Sequence, residues 1–134
     1  MYGLLMPGCN DINKPDIIIK DAHLYLPLKG AEMAAGYLRL ENNQTKKIVI
    51  SSIECRKGKA SLHETIVDSE GMMKMKKLEM FDVDPGSHKN FMPGGKHVMF
   101  SGLKEFKESI LMCAFSSNTG VEFPFAFEVL KNEQ

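Results

Sequence analysis

His97 and Met99 lie two residues apart in Pro93-Gly94-Gly95-Lys96-His97-Val98-Met99-Phe100. In a strand they project from one face, with Val98 and Phe100 on the other. Two further residues of the same types precede them: His63 in Leu62-His63-Glu64-Thr65 and Met75 in Gly71-Met72-Met73-Lys74-Met75. Eleven residues separate His63 from Met75, and 21 separate Met75 from His97. Two imidazoles and two thioethers make a donor set for a soft, closed-shell cation such as Cu(I), which accepts low-coordinate or tetrahedral N and S ligation. Thioethers need no deprotonation. Neutral imidazole competes with protons near its ordinary pKa of about 6.5, so affinity falls in acid. The set has no carboxylate, contrary to what Ca²⁺ or Mg²⁺ requires, and no thiolate, contrary to a structural zinc site.

These residues need strands to hold them, and the pattern supplies strands. Ile17 to His23 is rich in β-branched residues, and Gly36 to Asn42 alternates apolar and polar. Lys47 to Glu54 and Ala60 to Val67 follow, separated by the Arg56-Lys57-Gly58-Lys59 turn. Asp68-Ser69-Glu70-Gly71 is a strong turn signal, so His63 and the Met72 to Leu78 segment form the two arms of a hairpin. His88 to Phe91, the His97 segment, Ser109 to Ser116 and Val121 to Val129 complete the strands, with Leu103 to Glu108 as a charged connector. Pro124 points to an edge position or a bulge. Ala31 to Ala35 reads as a helical turn too short to stand alone. Many short strands with turn signals every 8–12 residues predict an all-β, Greek-key antiparallel β-sandwich.

At 134 residues the chain is one domain, long enough for a proper core, and its 43% hydrophobic and 25% charged residues are ordinary for a globular protein. A formal net charge of zero excludes the basic excess of a nucleic-acid binder. No apolar run of about 18 residues offers a transmembrane helix. Pro93-Gly94-Gly95 lacks the frame of a phosphate loop. Ten Met and no Trp are unusual, but Met most often fills gaps in cores or builds adaptable surfaces, so placement decides its meaning.

The spacing resembles that of periplasmic PCuAC-type copper chaperones, whose pattern is H-x10-M-x21-H-x-M. Ile18-Ile19-Lys20-Asp21-Ala22, Met33 to Leu38, Leu62 to Thr65, Gly71 to Met75 and Pro93 to Met99 followed by Gly102-Leu103 stand where that family has similar words. The resemblance implies a cupredoxin-like β-sandwich over residues 16–131 and a copper site of His63, Met75, His97 and Met99. It implies a carrier of Cu(I), and of Cu(II) as well, working in the periplasm and supplying the copper centre of cytochrome oxidase. One residue is added here in the Asp68 to Gly71 turn, and Met73 is the alternative to Met75 if the hairpin shifts register. Ala22-His23-Leu24 stands where the family has an aromatic and then a basic residue.

Residues 1–15 carry the Gly, Pro, Asn and Asp of a tail. Within it Leu4-Leu5-Met6-Pro7-Gly8-Cys9 resembles the end of a bacterial lipoprotein signal, with Cys9 as the lipid-anchor position; the alternative is an untethered tail, and the export signal is incomplete. Cys55 and Cys113 are the pair inside the domain, although three pairings of the three Cys exist, and Cys113 in its apolar run also reads as a buried thiol. His23 and His88 read as surface or satisfied core histidines, Met92 and Met33 as packing near the site, and Lys74, Lys76 and Lys77 as a solvated face. An electron-transfer cupredoxin needs Cys with a second His and Met close behind, which Cys113 lacks. No nucleophile–base pair or carboxylate dyad suggests an enzyme. The competing class is an adhesion or interaction sandwich with incidental Met and His.

Overall fold

Alternation is most regular in Met33–Asn42, where Ala34, Gly36, Leu38, Leu40 and Asn42 are buried and the residues between them are not. That period of two is what a strand with one face on a core produces. In the computed structural model, which describes residues 16–131, the chain forms ten strands, and no helix is present among the described residues. The strands are β1 (Ile17–Tyr25), β2 (Met33–Asn42), β3 (Ile48–Cys55), β4 (Lys59–Val67), β5 (Met73–Lys77), β6 (Phe81–Val83), β7 (His88–Phe91), β8 (Lys96–Ser101), β9 (Ile110–Ser117) and β10 (Glu122–Leu130).

Their hydrogen-bonded order is β5-β4-β8-β2-β1-β10-β9-β3-β6, with β7 also paired to β2. The sheet curls so that β3 packs against β4, which lie near its opposite ends. Every pairing is antiparallel except β1 with β10, which is parallel. The enclosed core is aromatic and aliphatic: Phe100, Phe115, Phe127, Leu24, Leu40 and Ile50 are fully buried. Phe100 and Phe127 meet edge to face at 5.2 Å, the arrangement that ring quadrupoles favour.

Three local outcomes differ from the sequence expectation or refine it. Ala31 to Ala35 makes no helical turn; from Met33 onward it is strand, because Met33 to Gly36 pair with Ser101 to Val98. Phe81–Val83 is a strand that no sequence pattern announced, paired to Ile48–Ile50. Pro124 lies inside β10, opposite Ala114 of β9. Its missing N–H is harmless there, since the β1 side of β10 is paired only at Glu128 to Leu130.

Cys55 and Cys113 are opposite one another in the β3–β9 ladder and form a disulfide. Closing a loop of sequence separation 58 is worth on the order of 4 kcal/mol in the chain-entropy account. The residue 1–15 segment, and with it Cys9, lies outside the described residues.

Candidate metal centre

β4 and β8 run antiparallel, and their register sets His63 directly opposite His97. The rings are near-parallel, with centroids 5.9 Å apart and planes 19° from one another. Two residues along β8, Met99 stands opposite Ser61 of β4 and Ala35 of β2. Cross-strand partners share a face, so His63, Ser61, His97 and Met99 are on one side of the sheet. Leu62 and Val98 fill the core on the other side and fix that choice, because a one-residue slip would turn the imidazoles into the apolar core and Val98 out of it.

The turn before β8 prepares His97. Gly94 takes a positive φ of 86°, and the Gly95 amide donates to the Met92 carbonyl at 2.9 Å. The Gly95 carbonyl then accepts from the Thr65 amide at 3.1 Å and from His97 Nδ1 at 3.1 Å. A carbonyl only accepts, so Nδ1 carries the ring proton and neutral His97 has an unprotonated Nε2. That Nε2 is buried and has no hydrogen-bond partner. An imidazole held at one nitrogen by a backbone carbonyl, with a bare lone pair at the other, is the usual arrangement of a metal-binding histidine.

β5 forms the outer arm. Asp68 and Met72 close the hairpin with an amide-to-carbonyl bond of 2.9 Å, and the Gly71 amide donates to the Asp68 carbonyl at 3.0 Å. Gly71 adopts φ 82°, so Ser69-Glu70-Gly71 is a three-residue loop with its left-handed residue last. The Asp68 carboxylate organises this turn, accepting from the Glu70 and Met72 amides at 2.9 Å each and pairing with Lys74 at 3.3 Å. Its hydrogen bond from Met72, then those from Glu70 and Lys74, hold its pKa below the usual carboxylate range. Beyond the loop Met73 pairs with Val67, Met75 with Thr65 and Lys77 with His63.

Met73 and Met75 therefore share the face of His63, and both are exposed. Met75 is one same-face step (two residues) along β5 from Lys77, the residue opposite His63, and Met73 is two such steps (four residues) away. A one-step diagonal separates Cα atoms by roughly 7–8 Å, within reach of a long side chain, whereas two steps is not. The register brings His63, His97 and Met99 into adjacent positions; Met75 lies on the diagonal of His63, on the side away from Met99.

Ser61 is the member of this group that sequence patterns did not single out; its hydroxyl lies 2.9 Å from His63 Nε2. Burial, and after it the charges of His97 and Lys77, push the His63 pKa below its ordinary value, so the ring stays neutral further into acid. His23 is engaged elsewhere, donating from Nδ1 to the Asp21 carbonyl at 2.9 Å beside the rings of Tyr25 and Tyr37. His88 is exposed on β7, and Lys74, Lys76 and Lys77 are exposed on β5. No methionine among the described residues belongs to the core: Met33, Met72, Met73, Met75, Met80, Met92 and Met112 are exposed and Met99 is half-buried. Nor do the described residues hold a cluster of three or more His, Cys, Asp and Glu that could bind a metal. The side chains beside the imidazole pair include the thioether of Met99, a donor that suits a soft ion better than a hard one.

Comparison with known proteins agrees with this architecture. Residues 17–109 match the model of the family described as "Putative lipoprotein LpqE-like". No curated protein matches the sequence. Among solved structures, the copper-bound PCuAC domain from PmoF2 superposes with a TM-score of 0.69 at 16% identity, covering 88% of this chain and 95% of that one. The apo PCuAC domain from PmoF1 gives 0.67 at 16% identity over 88% and 96%. Apo-DR1885 from Deinococcus radiodurans gives 0.63 at 20% identity over 90% and 82%. The fold is that of PCuAC domains, a cupredoxin-like β-sandwich. No helix of the described residues is long and apolar enough to cross a membrane.

Proposed function

The chain belongs to the LpqE-like family, and from that footing we propose that it is a copper carrier, binding Cu(I) through His63, Met75, His97 and Met99 and releasing it to a copper-accepting protein. The observation that carries this proposal is the buried, unpartnered Nε2 of His97. A buried acceptor left alone costs about 1–3 kcal/mol, and a soft cation shared with His63 and the neighbouring thioethers would satisfy it. The site lies on an outer sheet face with Met75 exposed, as a cargo site that must open to a recipient requires. The set also suits Cu(I) better than Cu(II), because two of its four donors are thioethers. It acts as a carrier and not as a catalyst.

We assign it to the outer side of the bacterial membrane. The Cys55–Cys113 disulfide fits an oxidising compartment, and lipidation at Cys9 would tether the domain there. The copper centre of cytochrome oxidase is the proposed recipient. Competition for Cu(I) against a chromophoric chelator tests the binding step, with X-ray absorption to count donors. The expected result is one chelator-resistant Cu(I) with two N and two S neighbours, lost in His97→Ala and Met99→Ala. Absence of chelator-resistant copper, or unchanged affinity in both variants, would leave an interaction sandwich with incidental Met and His.

A further inference from the structure

The two facing imidazoles are not equivalent. His97 is fixed at Nδ1 by the Gly95 carbonyl and its Nε2 is bare, whereas Nε2 of His63 is already occupied by the Ser61 hydroxyl at 2.9 Å. Ser61 is opposite Met99, so that hydroxyl sits within the donor group and not at its rim. Resting on the copper-carrier proposal, we propose that Ser61 is a positioning residue whose hydroxyl holds His63 Nε2 in the metal-free protein and is displaced from it by Cu(I). His97 is then the fixed arm of the site and His63 the exchangeable one.

The exchange balances without a proton leaving the protein. The Ser61 O–H···Nε2 hydrogen bond breaks, the Nε2 lone pair passes to the cation, and the hydroxyl keeps its proton. Ser61 is only half-buried, so its hydroxyl can turn to water while copper is bound. On transfer the steps reverse: Ser61 recaptures the ring as the recipient takes the ion. Ser61 thereby lowers affinity and speeds release, which is the compromise a carrier needs and a storage site does not.

Three proteins test this: wild type, Ser61→Ala and Ser61→Thr, the last keeping a hydroxyl. Each is titrated with Cu(I) against a chelator, and release to excess chelator is timed. Loss of one neutral hydrogen bond that competes with the metal should tighten Ser61→Ala by about fivefold and slow its release by a similar factor. Ser61→Thr should behave as wild type. In the metal-free proteins, the ¹⁵N resonance of His63 Nε2 should move toward that of a bare pyridine-type nitrogen in Ser61→Ala, with His97 unmoved. An unchanged Ser61→Ala affinity overturns the proposal. A weakened one overturns it too, since His63 would then donate from Nε2 to Ser61 and ligate through Nδ1. A wild-type chain that holds no Cu(I) sinks the carrier proposal itself, an outcome distinguishable from the other two because they require wild-type binding.

Discussion

His63 and His97 face each other across β4 and β8, their rings 5.9 Å apart and close to parallel, and only one of them has its Nε2 satisfied. The asymmetry separates what His97 does for the fold from what it does for a ligand. The Gly95 carbonyl would keep the Thr65 amide without His97, so little backbone bonding depends on the ring. Metal-free His97→Leu should therefore melt within a few degrees of wild type. Excess Cu(I), at about 100 times its Kd, should raise wild-type stability by about 2.7 kcal/mol and leave His97→Leu unmoved. Calorimetry with and without Cu(I) measures both. A collapse of the metal-free variant would mean that the imidazole is structural.

Met75 and Met73 are separated by register, although composition treats them alike. Met75→Leu should weaken Cu(I) binding by about tenfold or more, on the scale of 10–100-fold seen for disturbed metal shells. Met73→Leu should stay within about twofold of wild type. Both are surface changes on an exposed strand, so neither should alter the thermal transition. The reverse ranking in a chelator competition would show that the hairpin shifts by two residues when it binds.

The lowered pKa of His63 gives the acid response its sign. Burial is the first cause and the charges of His97 and Lys77 follow. The unfolded chain binds this proton more readily than the folded one, so stability falls as pH drops below about 6.5 and on through the folded value. Copper affinity declines in the same direction, because protonated His63 is no ligand. Lys77→Gln removes one of the depressing charges and should move the start of that decline to higher pH. A pH series of Kd values on both proteins decides it, and coincident curves would mean that Lys77 is too well solvated to matter.

Gly36, on β2 beside the site, is packed against the aromatic core. A Cβ there would lie 2.8 Å from Phe100 Cε2 and 3.1 Å from Phe127 Cε1, inside the central edge-to-face pair. Gly36→Ala should cost about 1–3 kcal/mol, the usual range for overpacking a core. Denaturant unfolding would register it as a lower midpoint at unchanged slope.

Much of this was legible from residue order because the chemistry sits on regular alternation. The i, i+2 spacing of His97 and Met99 needs only a strand to become a shared face, and Asp68 to Gly71 announces the hairpin that returns Met75 toward His63. What stayed hidden depends on partners far away in the chain. Ala31 to Ala35 has helix-forming residues, and pairing with β8, and at Ala35 with β1 as well, makes its second half a strand. Phe81-Asp82-Val83 is too short to show a period and exists as a strand because Ile48 to Ile50 accept it. The Cys55–Cys113 pairing needed the β3–β9 register to choose it from three arithmetical options. Ser61 was invisible because one hydroxyl in a strand has no signature until the ring beside it is placed.

The absence of methionine from the described core has a last consequence, for damage. Oxidants convert exposed thioethers to sulfoxides, which are polar and offer a hard oxygen where a soft sulfur stood. In most proteins such lesions matter because they disrupt packing. Here they would spare the fold, which rests on Phe, Leu and Ile, and strike Met75 before the more sheltered Met99. Peroxide should leave a molecule that melts as before but has lost its cargo, and a methionine sulfoxide reductase should restore it.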